Sequence, residues 1–326
     1  MRRAEMKCIV AAGTLALACI PPAALAQAYP GKPIRIVIPF VAGGSSDIVG
    51  RAIGSKFQEF LRQPAVVENR PGANGAIAAE FVAKSEADGY TILVGSIGVF
   101  SINAALFKDL RYQPLRDFAP ITLAVTTPNV LIAKPTLPAD SARELVELAK
   151  KNPGRLAYCS SGSGSSDHLT GEVFRQSANF TAIHVPYKGG AACQTDIMGN
   201  QVDFSFQNLG AVTGYIKAGR MKALVVTAKA RHPQLPNVPS AAEAGYPDLV
   251  VTSWQAVAAP AKTPRDVVAK LNDAVVRALR SPEIRERMTQ IGFDVVAGTP
   301  EEFGAFMKAE IERWTAVVER GGIKPD

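Results

Sequence analysis

The stretch Ile34-Arg35-Ile36-Val37-Ile38-Pro39-Phe40-Val41-Ala42-Gly43-Gly44-Ser45-Ser46-Asp47 passes from a β-branched run into a glycine-serine loop, and residues 46–61 then carry apolar side chains at helical spacing. Strand, loop and helix in that order form the unit from which parallel sheets covered by helices are built. The unit repeats outward, with strands expected over 34–39, 65–68 and 91–95 and a helix over 74–84. Residues 108–118, with Pro114 and several charges, read as a long surface connection. A second set begins near Thr126. Strands are expected over 129–133, 156–159, 182–185, 203–206 and 223–227, with helices over 141–151 and 166–177. The first of those helices is stopped by Asn152-Pro153-Gly154. The proline-rich stretch 232–247 reads as irregular connection rather than core. Three helices follow, over 264–280, 282–291 and 300–320, each opened by proline. These last helices need a sheet to cover, and the first one is nearest. The expected fold class is therefore α/β with two lobes, residues 27–124 plus 250–326 and residues 125–249. Two crossover strands near 124 and 250 would serve as a hinge about which the lobes close. A chain of 326 residues also exceeds what one core usually serves.

The chain holds 36 Lys and Arg against 29 Asp and Glu, a net charge of +7. Arg2, Arg3 and Lys7 precede an apolar run from Ile9 to Ile20, and a small-residue stretch ends at Ala24-Leu25-Ala26. That is the pattern of a secretory signal peptide, residues 1–26. Gly13, Thr14, Pro21 and Pro22 make a retained membrane span the weaker reading. A lipoprotein signal would use Cys19, but Leu17 stands one place off the usual position. Cleavage would leave 33 basic and 28 acidic side chains, a net charge of +5. So mild and dispersed an excess suits anionic small molecules and lacks the basic runs that nucleic acid requires. No other apolar run is long enough for a bilayer, so the mature chain is expected to be soluble, outside the cytoplasmic membrane.

A repeated quartet carries the functional argument: Gly44-Ser45-Ser46-Asp47 follows the first strand of lobe one, and Gly164-Ser165-Ser166-Asp167 follows a strand of lobe two. Glycine lets the backbone approach a ligand, serine supplies hydroxyls, and the helix that follows presents unpaired N–H groups at its positive end. Two such loops facing across a cleft would hold a carboxylate. Taken singly, each reads more readily as an N-cap, and it is the repetition that favours a binding role. Other strand-end loops are polar or glycine-rich: Ser96 to Phe100, Tyr187-Lys188-Gly189-Gly190 and Gln207-Asn208. In open parallel sheets ligands sit beyond the carboxyl ends of strands.

Catalysis finds little footing. There is no G-x-S-x-G nucleophile elbow. Gly162-Ser163-Gly164 has Asp167 where a dinucleotide fingerprint needs glycine, and His168, His184 and His232 are scattered. No catalytic residue, metal or cofactor is expected. The alternative is a periplasmic hydrolase using a serine of the 161–166 loop with His168. Cys159 and Cys193 remain after signal removal, as one disulfide or two buried thiols.

The chain resembles the Bug family, the TctC-like extracytoplasmic receptors of tripartite tricarboxylate transporters, from Tyr29-Pro30-Gly31-Lys32-Pro33-Ile34 to the C-terminus. The marks are Pro39 to Asp47, Val67-Glu68-Asn69-Arg70-Pro71-Gly72-Ala73, Asp88-Gly89-Tyr90, His184 to Gly190, and Pro239-Ser240-Ala241-Ala242-Glu243-Ala244-Gly245. The resemblance implies a periplasmic, two-lobed, cofactor-free Venus flytrap, and a monomer is expected. Such a receptor captures carboxylates through loop backbone, hydroxyls and waters and serves a membrane transporter or a sensor kinase. It implies contacts from Phe40, Gly44, Ser45, Ser46 and Asp47 in lobe one, and from Ser161, Gly162, Ser163, Ser165, His168, Tyr187 and Gln207 in lobe two. Where many relatives have a Thr-His pair this chain has Val99-Phe100, and where they often have aspartate it has Gln207. A less polar, less negative far wall would favour an aromatic or longer aliphatic acid. Cys193 stands where relatives commonly have proline, so the resemblance supplies no bridge.

Overall fold

Ile34, Ile36 and Ile38 pack to one side of the first strand and Val37 to the other, all four fully buried, while Arg35 near its start is exposed. A strand apolar on both faces belongs to a sheet with helices on each side. The computed structural model describes residues 29–324; the expected signal segment, 1–26, lies outside them. In chain order the elements are β1 (Ile34–Ile38), α1 (Ser45–Ser55), α2 (Phe57–Leu61), β2 (Ala65–Asn69), α3 (Ala76–Ala83), β3 (Thr91–Ser96), α4 (Asn103–Leu106), α5 (Pro114–Asp117) and the long β4 (Phe118–Ala133). Then come α6 (Ala142–Lys151), β5 (Ala157–Ser160), α7 (Ser166–Ser177), β6 (Ile183–Pro186), α8 (Gly190–Met198), β7 (Phe204–Asn208), α9 (Leu209–Lys217) and β8 (Lys222–Val226). The chain ends with β9 (Thr252–Pro260), α10 (Arg265–Arg280), α11 (Pro282–Ile291), β10 (Asp294–Val295) and α12 (Pro300–Gly321).

The strands run in the order β2-β1-β3-β9-β4-β7-β5-β6, with β8 and β10 also paired to β4. β4 is where the two lobes of this mixed α/β fold meet. Residues 118–128 pair antiparallel with β9, and residues 129–133 pair with β7 and β8. Beside this point the chain crosses back, with Val251 N–H donating to Thr227 O just before β9 begins. Along the far end of β4, Leu131 and Ala133 enter one core of the second lobe, while Val130 and Ile132 enter the other. Of the C-terminal helices, α10 and α11 cover one face of the first sheet through Leu271, Val275 and Met288. α12 covers the opposite face through Phe303, Met307 and Trp314.

Three expectations need correction. The helix expected over 46–61 breaks at Lys56 into α1 and α2. The segment 108–118 is not purely a surface connection, because Tyr112 is buried and its hydroxyl donates to Val99 O at 2.6 Å. The stretch 232–247 is irregular, yet Leu235 and Ala241 are buried in the cores of the second lobe. An irregular chain is tolerated inside when its amides are paired, as Val226 N–H and Ala241 N–H are with Pro239 O and Val226 O.

Candidate ligand-binding site

The loop after β1 and the loop after β5 meet across one cleft. In the first, Gly44 caps α1 through its backbone, and Asp47 accepts from Gly43 N–H at 3.0 Å. In the second, Ser165 Oγ caps α7 by accepting from His168 N–H at 3.2 Å, and Asp167 accepts from Ser161 N–H at 2.8 Å. Each aspartate ties its helix to its own loop. The starts of α1 and α7, the positive ends of both helices, open on the space between the lobes.

As the lobes stand the cleft is narrow, its cavity holding about 40 Å³, room for a few waters. From the first lobe it is lined by Phe40, Gly44, Ser45, Ser46 and Ser96, and by Ser253 and Gln255 at the start of β9. From the second come Ser161, Ser165, Ser166 and Asp167, Gly190 and Gln194 of α8, Gln207 and Asn208 ending β7, and Ala211 of α9. The lobes touch on both flanks. Val41 N–H donates to Lys188 O at 3.4 Å. A Cβ on Gly164, at φ +85°, would lie 3.1 Å from Asn74 Nδ2 and 3.2 Å from Asn103 Oδ1, so only glycine permits this approach.

The walls are held by amide and hydroxyl contacts. Ser46 Oγ donates to Gln255 Oε1 at 2.6 Å, and Ser166 Oγ to Ser253 Oγ at 3.2 Å. Gln194 Nε2 donates to Gln207 Oε1 at 3.1 Å, while Gln207 Nε2 reaches Asp167 Oδ2 at 3.0 Å and Cys193 Sγ at 3.4 Å. Cys193 is joined to Cys159 by a disulfide, with Cα atoms 5.8 Å apart, so the bridge lies behind Gln207 and fastens α8 to β5. At Gly190 a Cβ would stand 2.6 Å from Gln207 Oε1 and 3.1 Å from Ser161 Oγ, so a side chain there would crowd the cavity wall.

The two aspartates differ in charge balance. Burial opposes ionisation of Asp47, but hydrogen bonds from Arg51, Gly43 and Asn69 outweigh it and hold the carboxyl below the usual range. Arg51 Nε lies 2.9 Å from Asp47 Oδ2. Around Asp167 the donors are neutral, and burial pushes its carboxyl up.

Of the residues singled out in the sequence, Phe40, Gly44, Ser45, Ser46, Ser96, Ser161, Ser165 and Gln207 come together here. Asp47 lies behind the wall. Val99 and Phe100 are fully buried in the first lobe, Phe100 among Phe118, Trp254 and Phe303; they form no wall of this cleft. Gly162, Ser163 and Tyr187 line a separate, more open depression on the other side of the 161–165 loop. The Tyr187 hydroxyl donates to Asp196. His168 is buried, its Nδ1 accepting from Gly164 N–H at 3.1 Å and its ring stacked on His184 at 4.2 Å. Ser165 meets the His168 backbone N–H as a cap, so the hydrolase reading gains no support. Ser166 and Asp167 were visible in the second quartet. Gln194, Ser253 and Gln255 carry no local signal and arrive through tertiary folding. Among the described residues no group of three His, Cys, Asp or Glu side chains could hold a metal, and no helix is long and apolar enough to cross a membrane.

The model of the tripartite tricarboxylate transporter family receptor, TctC, matches residues 49–323. The chain belongs to this family. The periplasmic binding protein BugD is 35% identical to this TctC-family receptor and superposes with a TM-score of 0.88, covering 91% of this chain and 100% of its own. The Rhodopseudomonas palustris protein Rpa4515, solved with adipate, gives the same identity, TM-score and coverage. MatC from Rhodopseudomonas palustris, with bound malate, is 33% identical with a TM-score of 0.86, over 89% of this chain and 100% of its own. These similarities fit the two-lobed architecture and a family of solute receptors.

Proposed function

We propose that this receptor works in the periplasm, exported by its N-terminal signal, and captures a small aliphatic carboxylic acid between its lobes for a membrane transporter. The observation that carries this reading is the pair of helix-starting loops, α1 and α7, facing one cavity lined mainly by hydroxyls and amides. Preorganised N–H and O–H donors bind a carboxylate without a metal or a covalent step. Rigid-body closure about β4 and residues 251–252, dividing the lobes near 124 and 250 as the sequence suggests, would provide the binding-competent state. An aromatic preference has lost its ground, because Val99 and Phe100 belong to the core. The longer aliphatic acid remains, and the likeness to the adipate-bound protein supports it.

A thermal-shift screen of the chain from residue 27 against aliphatic and aromatic mono- and dicarboxylates tests this. A ligand at 100 times its Kd adds about 2.7 kcal/mol, which raises Tm by several degrees in a protein of this size. Hits confined to aliphatic acids are expected. A response to aromatic acids alone would overturn the ligand class, and silence across the panel, with nothing released on denaturation, would overturn the carboxylate reading.

A further inference from the structure

Among the described residues no cation lines the cavity. Asp167 is the one ionisable side chain among those that line it, 3% exposed, and it accepts from the Ser161 N–H at 2.8 Å, Ser161 Oγ at 2.5 Å and Gln207 Nε2 at 3.0 Å, with the Ser165 side chain a further partner. The starts of α1 and α7 each act as about half a positive charge. Together they offset about one negative charge, which an ionised Asp167 already takes up, Asp47 being balanced by Arg51. A ligand carboxylate beside an ionised Asp167 would thus bring a second negative charge into a confined space with nothing left to balance it. Two carboxylates in such a site do not both stay ionised, and one of them takes a proton.

We propose that the receptor takes up one proton with its carboxylate ligand, and that Asp167 and Ser161 hold it. This inference rests on the carboxylate reading. The proton comes from solvent as the lobes close, resides on Asp167 Oδ2 and is donated to Ser161 Oγ across the 2.5 Å contact. The Ser161 O–H then turns toward the ligand, which needs donors. With Asp167 ionised, that same O–H points to Asp167 and the ligand meets only lone pairs. Burial acts in the same sense on Asp167, against the hydrogen bonds from Ser161 and Ser165. Asp167 therefore works through Ser161 as a positioning residue.

The elements around it carry few other titratable groups. His168 follows it on α7; on β6, His184 stacks on His168, with Nε2 2.7 Å from Ser160 Oγ of β5. α8 contributes Asp196, which accepts from Tyr187, and β7 contributes only neutral Gln207 and Asn208 to the cavity. Across the cleft the first lobe presents Ser46 and Gln255, with the Asp47–Arg51 ion pair behind them.

Calorimetric titration of the mature chain with adipate and with malate, in buffers of differing ionisation enthalpy, counts the protons taken up per ligand bound. The expected count approaches one. Because the complex then holds more protons than the free receptor, affinity compared at about pH 6 and about pH 8 falls as pH rises, by at most tenfold per unit. Asp167→Asn is expected to bind with a count near zero and a flat pH profile. Binding by the wild type with no proton uptake overturns the proposal. So does an undiminished count in Asp167→Asn, which would assign the proton to His168 or His184. Should that variant fail to fold, the wild-type count decides alone. Failure of every acid in the panel to bind at either pH overturns the carboxylate reading itself, and is thereby told apart.

Discussion

The two Gly-Ser-Ser-Asp loops share a sequence, but their helices start one residue apart, Gly44 capping α1 and Ser165 capping α7, and their aspartates are opposite in charge balance. Asp47 and Asp167 each accept an N–H from the loop before their helix, at 3.0 and 2.8 Å. One turn further on, the first helix places Arg51 and the second places Gly171. Arg51 neutralises Asp47. At Gly171 the ring of Tyr158 comes so close that an added Cβ would stand 2.7 Å from it, which leaves no room for a counter-ion. The same four residues can therefore serve as a charge-neutral brace in one lobe and as an uncompensated acid in the other. The register of the helix start decides which N–H each aspartate accepts, and charge is set by what packs one turn away.

The largest expected difference between the lobes comes from the bridge, which fastens only the second loop's support. Cys159 ends in β5, directly before the loop, and Cys193 lies behind Gln207. Closing a loop of sequence separation 34 is worth about 4 kcal/mol in the chain-entropy model. Replacing both cysteines by serine is expected to remove on the order of 2–4 kcal/mol and to lower the thermal transition seen by circular dichroism. Both tryptophans, Trp254 and Trp314, sit in a core of the first lobe, so their fluorescence reports that lobe separately. A fluorescence transition that stays behind would sharpen the contrast. A loss below about 1 kcal/mol would break it.

Next in size is the contrast between the aspartates. Asp47→Asn removes charge-assisted bonds from Arg51 and Asn69 around a buried carboxylate, and should cost about 2 kcal/mol, with Arg51 half exposed. Asp167→Asn replaces an uncompensated buried acid and should cost under about 1 kcal/mol. Their pH dependences run in opposite directions. A carboxyl held low in the fold stabilises above its unfolded pKa, and that stability is lost as pH falls through the folded value, so the Asp47→Asn deficit should shrink in acid. A carboxyl held high makes the folded state the better proton binder, so wild-type stability falls as pH rises past the unfolded value, and Asp167→Asn should gain relative to it. Tm against pH for the two variants checks both signs. Parallel curves would show that the charge asymmetry is not real.

Much of this architecture was legible because strand and helix carry different periods. The strands at 34–38, 65–69 and 91–96 and the C-terminal helices stand close to where the pattern puts them. α8 and α9 escaped the reading. α9 contains Gly210 and Gly214, which propensity disfavours in a helix, and Gly210 is there because the Phe293 ring occupies the space of its Cβ at 2.3 Å. That pressure comes from another part of the chain and leaves no local trace. At the site, the serine loops announce themselves by their repetition, since one glycine-serine stretch before a helix is an ordinary N-cap. Gln255 does not, being one polar residue in the apolar run of β9, brought to Ser46 by the β3–β9 register that sets it beside Ser96. Val99 and Phe100 mislead for the complementary reason. They follow a strand end, as ligand loops do, but the chain winds there into a π-helical turn over Gly98–Ile102 that carries both inward.

The smallest expected effect separates capping from binding. Ser165 is the N-cap of α7 and its hydroxyl accepts from His168 N–H; Ser45 is the first residue of α1, whose cap, Gly44, offers no side chain. Both hydroxyls line the cavity. Ser165→Ala should therefore lose about 1 kcal/mol of stability, whereas Ser45→Ala should lose no more than about 0.5 kcal/mol. If both serines also serve the ligand, the two variants should weaken acid binding by similar factors despite their unequal stabilities. Chemical denaturation and titration of the same two proteins separate these quantities. Equal stability losses would mean that α1 relies on Ser45 in a way its backbone cap does not reveal. Unequal binding losses, larger for Ser165, would mean that the ligand leans on the second lobe, where the uncompensated acid lies.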